Sequence, residues 1–304
     1  MMDLPDKVIF PVGKDRPKTS WLKLGFQRLG VKIEISRKWV DKYRPPSNPR
    51  GLIVYPIEFV FGEKRKLVMF DINTIPDRNV NRLMRDGNMY FKIHVRRGDV
   101  KKWGIIPAPN SASSVDYLDG LEYFRRLRSQ KNKGFDFMFV GWHDDDGMRM
   151  ETVKRIRKMG IREFTGLLPF KHHTKVPKNL LPPGGERLHP GKHWTLQCTS
   201  RLNLALPGGR HLPYVSFRHV ELWGFGCTVI SKRPDCVLIG DPDPSKIMVL
   251  YDLKNLEKVV RYYLDHDEER EEIGRKGMEY YDRWLQPEKH AVYFINKVKE
   301  RLFR

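Results

Sequence analysis

The chain has 304 residues, with 57 lysines and arginines against 37 aspartates and glutamates, a formal charge of +20, and 40% hydrophobic residues. That length and apolar share suit one large or two ordinary folded domains and exclude a disordered chain. No apolar run approaches the ~20 residues of a membrane-spanning helix, and the opening Met-Met-Asp-Leu-Pro-Asp-Lys lacks the basic start and apolar middle of a secretory signal, so the expected location is the cytosol, free or peripheral at a membrane surface.

The elements follow in chain order. Apolar runs over 7–12, 31–35, 51–55 and 66–72, with a helical pattern over 20–29, alternate in the way that predicts a parallel sheet. A helical period over 76–85 stops at Gly87, strand character returns over 89–95, and a Pro/Ser loop at 107–114 closes a first domain, residues 1–115. Residues 116–134 read as a basic helical linker. The apolar run 135–141, ending in Gly141, opens a second domain over 135–287. Within it the pattern predicts helices over 148–159, 193–201 and 218–223 and strands over 161–166, 202–206, 228–231 and 248–250. The proline- and glycine-rich stretch 167–192 is expected to be a surface loop suited to covering a cleft. Helices over 253–264, 268–284 and 288–302 end the chain, with 288–304 expected to pack back on the first domain. The fold class is therefore α/β, two doubly wound Rossmann-like domains facing a cleft.

Residues 216–231, Ser-Phe-Arg-His-Val-Glu-Leu-Trp-Gly-Phe-Gly-Cys-Thr-Val-Ile-Ser, carry the strongest functional signal. Ser216 starts a helix bearing Arg218 and Glu221, glycines break it, and a β-branched strand follows. A helix start offers backbone N–H groups and a positive dipole end to an anion. A carboxylate one turn after an arginine suits hydroxyls beside that anion, so phosphate plus ribose is the natural ligand. Gly208 and Gly209 allow close backbone approach to a sugar or phosphate, or make a plain turn.

The second half resembles the C-terminal domain of group 1 glycosyltransferases of the two-Rossmann-domain (GT-B) type, in the divergent branch with spore-protein-like and exostosin-like members. Phe137-Met138-Phe139-Val140-Gly141 is similar to the family's opening strand and glycine, and Ser200 through Leu206 to its helix-then-L-N-L segment. Arg218 through Ile230 is similar to R-x-x-E-x-x-x-x-G-x-x-V-I, and Tyr251-Asp252 to the step before its next helix. The acidic and basic run 267–277 resembles the helix that follows. The resemblance implies that Glu221 holds the ribose of a nucleotide sugar and that Arg218, with the helix start, faces the diphosphate. Gly141, Gly208, Gly209, Ser216 and Tyr251 complete the expected donor site. Many members carry a second glutamate eight positions earlier; Pro213 stands there, which leaves the stereochemical outcome open.

Glycosyl transfer builds negative charge on a departing nucleoside diphosphate, which basic groups and helix dipoles stabilise. No metal or resident cofactor is expected, and Asp144-Asp145-Asp146 reads as a solvated turn. Asp71, Asp15 and His94 are the candidates for the base that takes the acceptor's proton, with Asp71 placed at a strand's carboxyl end. Lys14, beside Asp15 in the first strand-to-helix loop, is a candidate for acceptor contact or simple turn chemistry. His172 and His173 are read as loop residues. Cys198, Cys227 and Cys236 lack C-x-x-C spacing and are expected to be reduced. The charge excess favours phosphate-rich partners, whether nucleotide, nucleic acid or an anionic membrane surface. The expected partners are a nucleotide sugar and a hydroxyl acceptor, anionic in view of that excess. Two alternatives stay open: a nucleic-acid-modifying glycosyltransferase, and a non-catalytic nucleotide- or polyanion-binding module of the same fold.

Overall fold

The structure is a computed structural model, and it describes residues 3–13, 15–39, 54–72, 88–143, 147–169, 175–206 and 214–303. Two compact units share the chain: unit 1 comprises Met1–Val115, Asp235–Asp241 and Arg283–Arg304, and unit 2 comprises Asp116–Pro234 and Pro242–Asp282. Each contains one sheet, and both sheets are dominated by parallel pairs.

Unit 1 begins with β1 (Lys7–Pro11), α1 (Pro17–Arg28) and β2 (Lys32–Ser36), followed by β3 (Val54–Phe61), β4 (Lys64–Asp71) and β5 (Met89–Lys92). Then come α2 (Arg97–Trp103) and β6 (Ile106–Pro107), giving the strand order β2-β1-β3-β4-β5-β6. The purely parallel sheet expected from the alternation is corrected here. β3 runs antiparallel to both β1 and β4, because β3 and β4 are joined by Gly62-Glu63 alone, with Gly62 at φ +58°. Two residues can close a hairpin but are far too few for a parallel crossover. β1, β4, β5 and β6 still share one direction, so their carboxyl ends line one edge. The helical pattern expected over 76–85 lies outside the described residues.

A 3-10 turn at Val115–Leu118 begins on the last residue of unit 1's first segment and leads into unit 2, whose first α-helix is α3 (Leu121–Ser129). Gly120 separates the two, so the continuous linker helix expected there is broken. Next are β7 (Phe135–Trp142), α4 (Met148–Lys158) and β8 (Glu163–Leu168), then α5 (Pro190–Cys198) and β9 (Ser200–Leu204). α6 (Phe217–Phe225), β10 (Val229–Ser231), α7 (Pro244–Ile247), β11 (Val249–Leu250), α8 (Leu256–Asp265) and α9 (Asp267–Trp284) follow. The strand order is β11-β10-β9-β7-β8, every pair parallel. The chain moves outward from β7 to β8, then returns across β7 to lay down β9. That reversal makes the gap between β7 and β9 the topological switch point, where doubly wound sheets bind ligands beyond the strands' carboxyl ends.

The 167–192 stretch is not a free loop in its described part. Leu180 is buried, and Arg157 of α4 donates to the carbonyl of Leu181 at 2.9 Å. Gly166 of β8 meets Pro182 so closely that a Cβ would stand 2.2 Å from its nitrogen.

α10 (Pro287–Leu302) closes unit 1's core. Phe294 stacks on Phe91 with centroids 4.3 Å apart, and Ala291, Ile295 and Val298 are fully buried in the same cluster. At the crossing of α1 and α10 a Cβ on Gly25 would lie 2.0 Å from the carbonyl oxygen of Pro287, so only glycine allows the approach. A second such place is inside α6. The hydroxyl of Tyr117 donates to the Glu221 carbonyl at 3.0 Å, and a Cβ on Gly224 would fall 1.7 Å from that oxygen. Gly224→Ala must therefore expel Tyr117 from a cluster with Phe225 and Tyr281. We expect a stability loss of about 2–3 kcal/mol, read as a lower urea midpoint at unchanged slope; a wild-type midpoint would show that Tyr117 is not locked.

Candidate donor and acceptor sites

α6 is placed by its caps. Ser216 precedes it with extended backbone, and its N–H donates to Nδ1 of His219 at 3.1 Å. Nδ1 therefore carries no proton, so Nε2–H donates to Ser231 Oγ of β10 at 2.8 Å, tying the helix start to the sheet. Burial pushes the His219 pKa down to about 3, in keeping with a neutral structural imidazole. At the other end Gly226 takes the left-handed conformation, φ +76°, which terminates the helix. Residues 219 to 225 are all buried, leaving the first turn, Phe217 and Arg218, as α6's outlet to solvent.

Arg218 and Glu221 lie three positions apart, hence on one face. Arg218 Nη1 donates to Glu221 Oε2 at 3.1 Å and approaches Nδ1 of His193 at 3.1 Å. His193, in the first turn of α5, is 3.5 Å from the carbonyl of Val140 near the end of β7 through its Nε2. Burial first, and then the Arg218 charge, hold the His193 pKa down at about 3. The imidazole is therefore neutral, accepting from the guanidinium on one side and donating to Val140 on the other. One nitrogen of Arg218 is thus committed to two partners, while Nε and Nη2 make no hydrogen bond among the described residues. Burial draws the Arg218 pKa down, against the pull of Glu221, and a guanidinium is basic enough to stay charged through such a shift. Glu221 is completely buried, which excludes a solvated surface carboxylate. Charge, helix start and strand ends converge beside the β7/β9 switch point.

The other expected donor residues spread more widely. Gly141 stands at the carboxyl end of β7, where a Cβ would press on the Phe139 ring at 2.8 Å. Ser216 caps α6. Tyr251 is packed into the core of unit 2 with Phe137 and Leu204, and burial drives its hydroxyl pKa well up. Gly208, Gly209 and Pro213 lie outside the described residues, as do Lys14, Asp144, Asp145, Asp146, His172 and His173. Among the described residues no group of three or more His, Cys, Asp or Glu is placed to hold a metal ion, and no helix is long and apolar enough to cross a membrane. Sequence reasoning missed His193, since a lone histidine after a proline-rich stretch carries no spacing signal.

In unit 1, Asp71 ends β4 with no exposed surface and accepts from Lys92 Nζ and, at 2.8 Å, from Tyr90 Oη. Its register partner across the β4/β5 ladder is Lys92. His94 lies just past β5 and not inside a strand, and burial with Lys18 and Lys92 nearby holds its pKa well below the ordinary value. Asp15, exposed in the β1–α1 loop, pairs with Lys23 at 2.7 Å.

The basic helix α3 is largely consumed inside unit 2. Arg125 binds the Gly224 carbonyl at 2.7 Å and Asp282 at 2.6 Å. Arg128 binds Glu271 at 2.7 Å and the Ser200 carbonyl at 3.0 Å. These arginines brace the unit and do not form a free cationic face.

An all-parallel doubly wound unit with an arginine at a helix start beside its switch point is an α/β domain of the kind that binds ligands beyond its strands' carboxyl ends. Residues 127–294 match the family model described as "Glycosyl transferase-like". That match spans more than half of the chain, and the protein belongs to this glycosyltransferase family. No curated protein matches the sequence. Among solved structures, the chain is similar to a glycosyltransferase from Rickettsia africae ESF-5, with a TM-score of 0.54 and 10% identity over 95% of this chain and 83% of that one. Anabaena HepE in complex with UDP and glucose has a TM-score of 0.45 and 8% identity, over 77% and 71% of the two chains. Sucrose-phosphate synthase from Thermosynechococcus elongatus has a TM-score of 0.41 and 13% identity, over 77% and 67%. The first shows the shared GT-B fold of two Rossmann-like domains. Glycosyl transfer is the chemistry of the family.

Proposed function

We propose that the protein moves a sugar from a nucleoside-diphosphate sugar bound on unit 2 to a hydroxyl acceptor bound on unit 1, in the cytosol. The observation that carries this reading is the Arg218 guanidinium. His193 and Glu221 hold one nitrogen, and the remaining donors are free, among the described residues, to meet a diphosphate at the α6 N-terminus. Glu221, one turn further, is the residue for the ribose hydroxyls. In the transfer the acceptor oxygen attacks the anomeric carbon, the bond to the diphosphate oxygen breaks, and the hydroxyl proton passes to a base. The guanidinium and helix amides, not a metal ion, meet the charge that builds on the leaving group.

Of the three candidate bases, Asp71 is engaged by Lys92 and Tyr90, and buried His94 is a weak proton acceptor. Asp15, the exposed one, is our choice. The internal use of Arg125 and Arg128 argues for a small donor over a nucleic-acid duplex gripped by α3. Glu221→Gln keeps the volume and removes the charge. In a thermal-shift panel of nucleoside diphosphates and their sugars, the variant should bind the ligand that stabilises the wild type about 10-fold more weakly or worse. Unchanged affinity would remove Glu221 from the donor site.

A further inference from the structure

We propose that His193 is a positioning residue of the donor site: by accepting from Arg218 Nη1 it reserves the opposite edge of the guanidinium, Nε–H and Nη2–H, for two oxygens of a phosphate. This deepens, and rests on, the reading that Arg218 meets the diphosphate. Left to themselves, a guanidinium and a carboxylate favour two parallel hydrogen bonds, fork to fork. Arg218 and Glu221 meet by one, Nη1 to Oε2 at 3.1 Å. The same nitrogen's second hydrogen goes to His193 Nδ1, also at 3.1 Å. A swing of the guanidinium into the two-point pair with Glu221 would draw Nη2 into that pair and break the His193 contact. His193 thus holds the ion pair at one point and keeps Nε and Nη2 together as a two-pronged donor.

The imidazole can do this only as a neutral acceptor fixed in place, and its surroundings fix it. Its backbone N–H closes the first turn of α5 on the His189 carbonyl at 3.0 Å. Pro190 opens that turn, and the His189 ring accepts from the Gly191 N–H at 3.3 Å, so the start of α5 is capped. The side chain is buried, and burial together with the Arg218 charge keeps the ring unprotonated. Its other nitrogen, 3.5 Å from the Val140 carbonyl, is at the outer limit of hydrogen bonding, so the strong bond of His193 is the one to Arg218. The Phe217 ring, its centroid 5.4 Å from the guanidinium carbon, stacks on Arg218. Neighbours from α5 and α6 therefore fix both the plane of the guanidinium and its rotation within that plane.

The test is calorimetric titration of the full chain with UDP, GDP, ADP and CDP, the tightest of them serving as the probe. His193→Leu removes the acceptor and should weaken the probe about 10-fold or more. His193→Asn sets Oδ1 where Nδ1 stood and should stay within about 3-fold of the wild type. His193→Gln, whose amide reaches past that place toward Val140, should lose as much as the leucine variant. In an Arg218→Met background His193→Leu should cost nothing further, whereas a merely structural histidine weakens the probe by the same factor in both backgrounds. Equal losses in the two backgrounds overturn the proposal, as does an asparagine variant as weak as the leucine one. If His193→Leu does not fold, the order of asparagine above glutamine decides, and the reverse order overturns the proposal. Loss of binding in Arg218→Met beside wild-type affinity in His193→Leu overturns it alone. Wild-type affinity in Arg218→Met, or no binding by any of the four, brings down the donor reading and this proposal with it.

Discussion

Arg218→Met is expected to lower affinity for the stabilising nucleoside diphosphate, and turnover of its sugar, by 100-fold or more, while the protein remains folded. Methionine fills much the same space but carries no donor. It leaves Glu221 without its cation at 3.1 Å and His193 Nδ1 without its donor at 3.1 Å. Loss of a charged donor aimed at a leaving group removes roughly 3–4 kcal/mol of transition-state stabilisation, about 100- to 1000-fold in rate. Arg218→Lys should recover little. A single ammonium cannot bridge His193 and Glu221 and also present two further N–H groups to a diphosphate. The measurement is a binding isotherm beside a melting curve; wild-type affinity in Arg218→Met would place the diphosphate elsewhere.

The second large effect is acid sensitivity. His193, His219 and His290 are buried, and burial brings each pKa to about 3, against about 6.5 in an unfolded chain. Because the folded value is the lower one, the unfolded chain binds more protons between pH 3 and 6.5. Stability is therefore complete above about pH 6.5 and declines as pH falls through that window. By pH 5.5 each histidine costs about 1.4 kcal/mol, roughly 4 kcal/mol for the three if the units unfold together. Melting temperatures taken from pH 7.5 to 5.0 should drop steeply below pH 6.5, and His290→Asn should lessen the slope by about one proton. A flat profile across that range would show that these imidazoles reach solvent or find acidic partners.

Much of unit 2 is legible in the residues themselves. Ser216 as a cap, the three-residue spacing of Arg218 and Glu221, Gly226 at a left-handed stop and β-branched Val229-Ile230 each have one physical meaning, and together they set a helix start against a buried strand. Unit 1 was harder for a definable reason. Apolar runs report burial and say nothing of direction. Only the two-residue Gly62-Glu63 link between Val54–Phe61 and Lys64–Asp71 carries the hairpin, and the paired runs extend beyond the edges that composition alone marks. Register is likewise invisible in a single strand. Asp71 stands at a strand end where a ligand group belongs, but its neighbour across the ladder is Lys92, and that pairing turns a free carboxylate into an internal ion pair. His193 joins the site through a 53-residue separation from Val140, a contact that arises from the return of the chain across β7.

The wrapping of α10 over the first sheet governs how the molecule can be taken apart. A gene fragment stopping at residue 115 would encode all six strands of that sheet yet omit Phe294, Ile295 and Val298, and the pocket that Gly25 leaves for the Pro287 carbonyl would stand empty. Half-molecules cut at the midpoint would thus expose greasy surface and clump, so dissecting the two lobes requires grafting the last twenty-two residues, 283–304, back onto the amino-terminal piece.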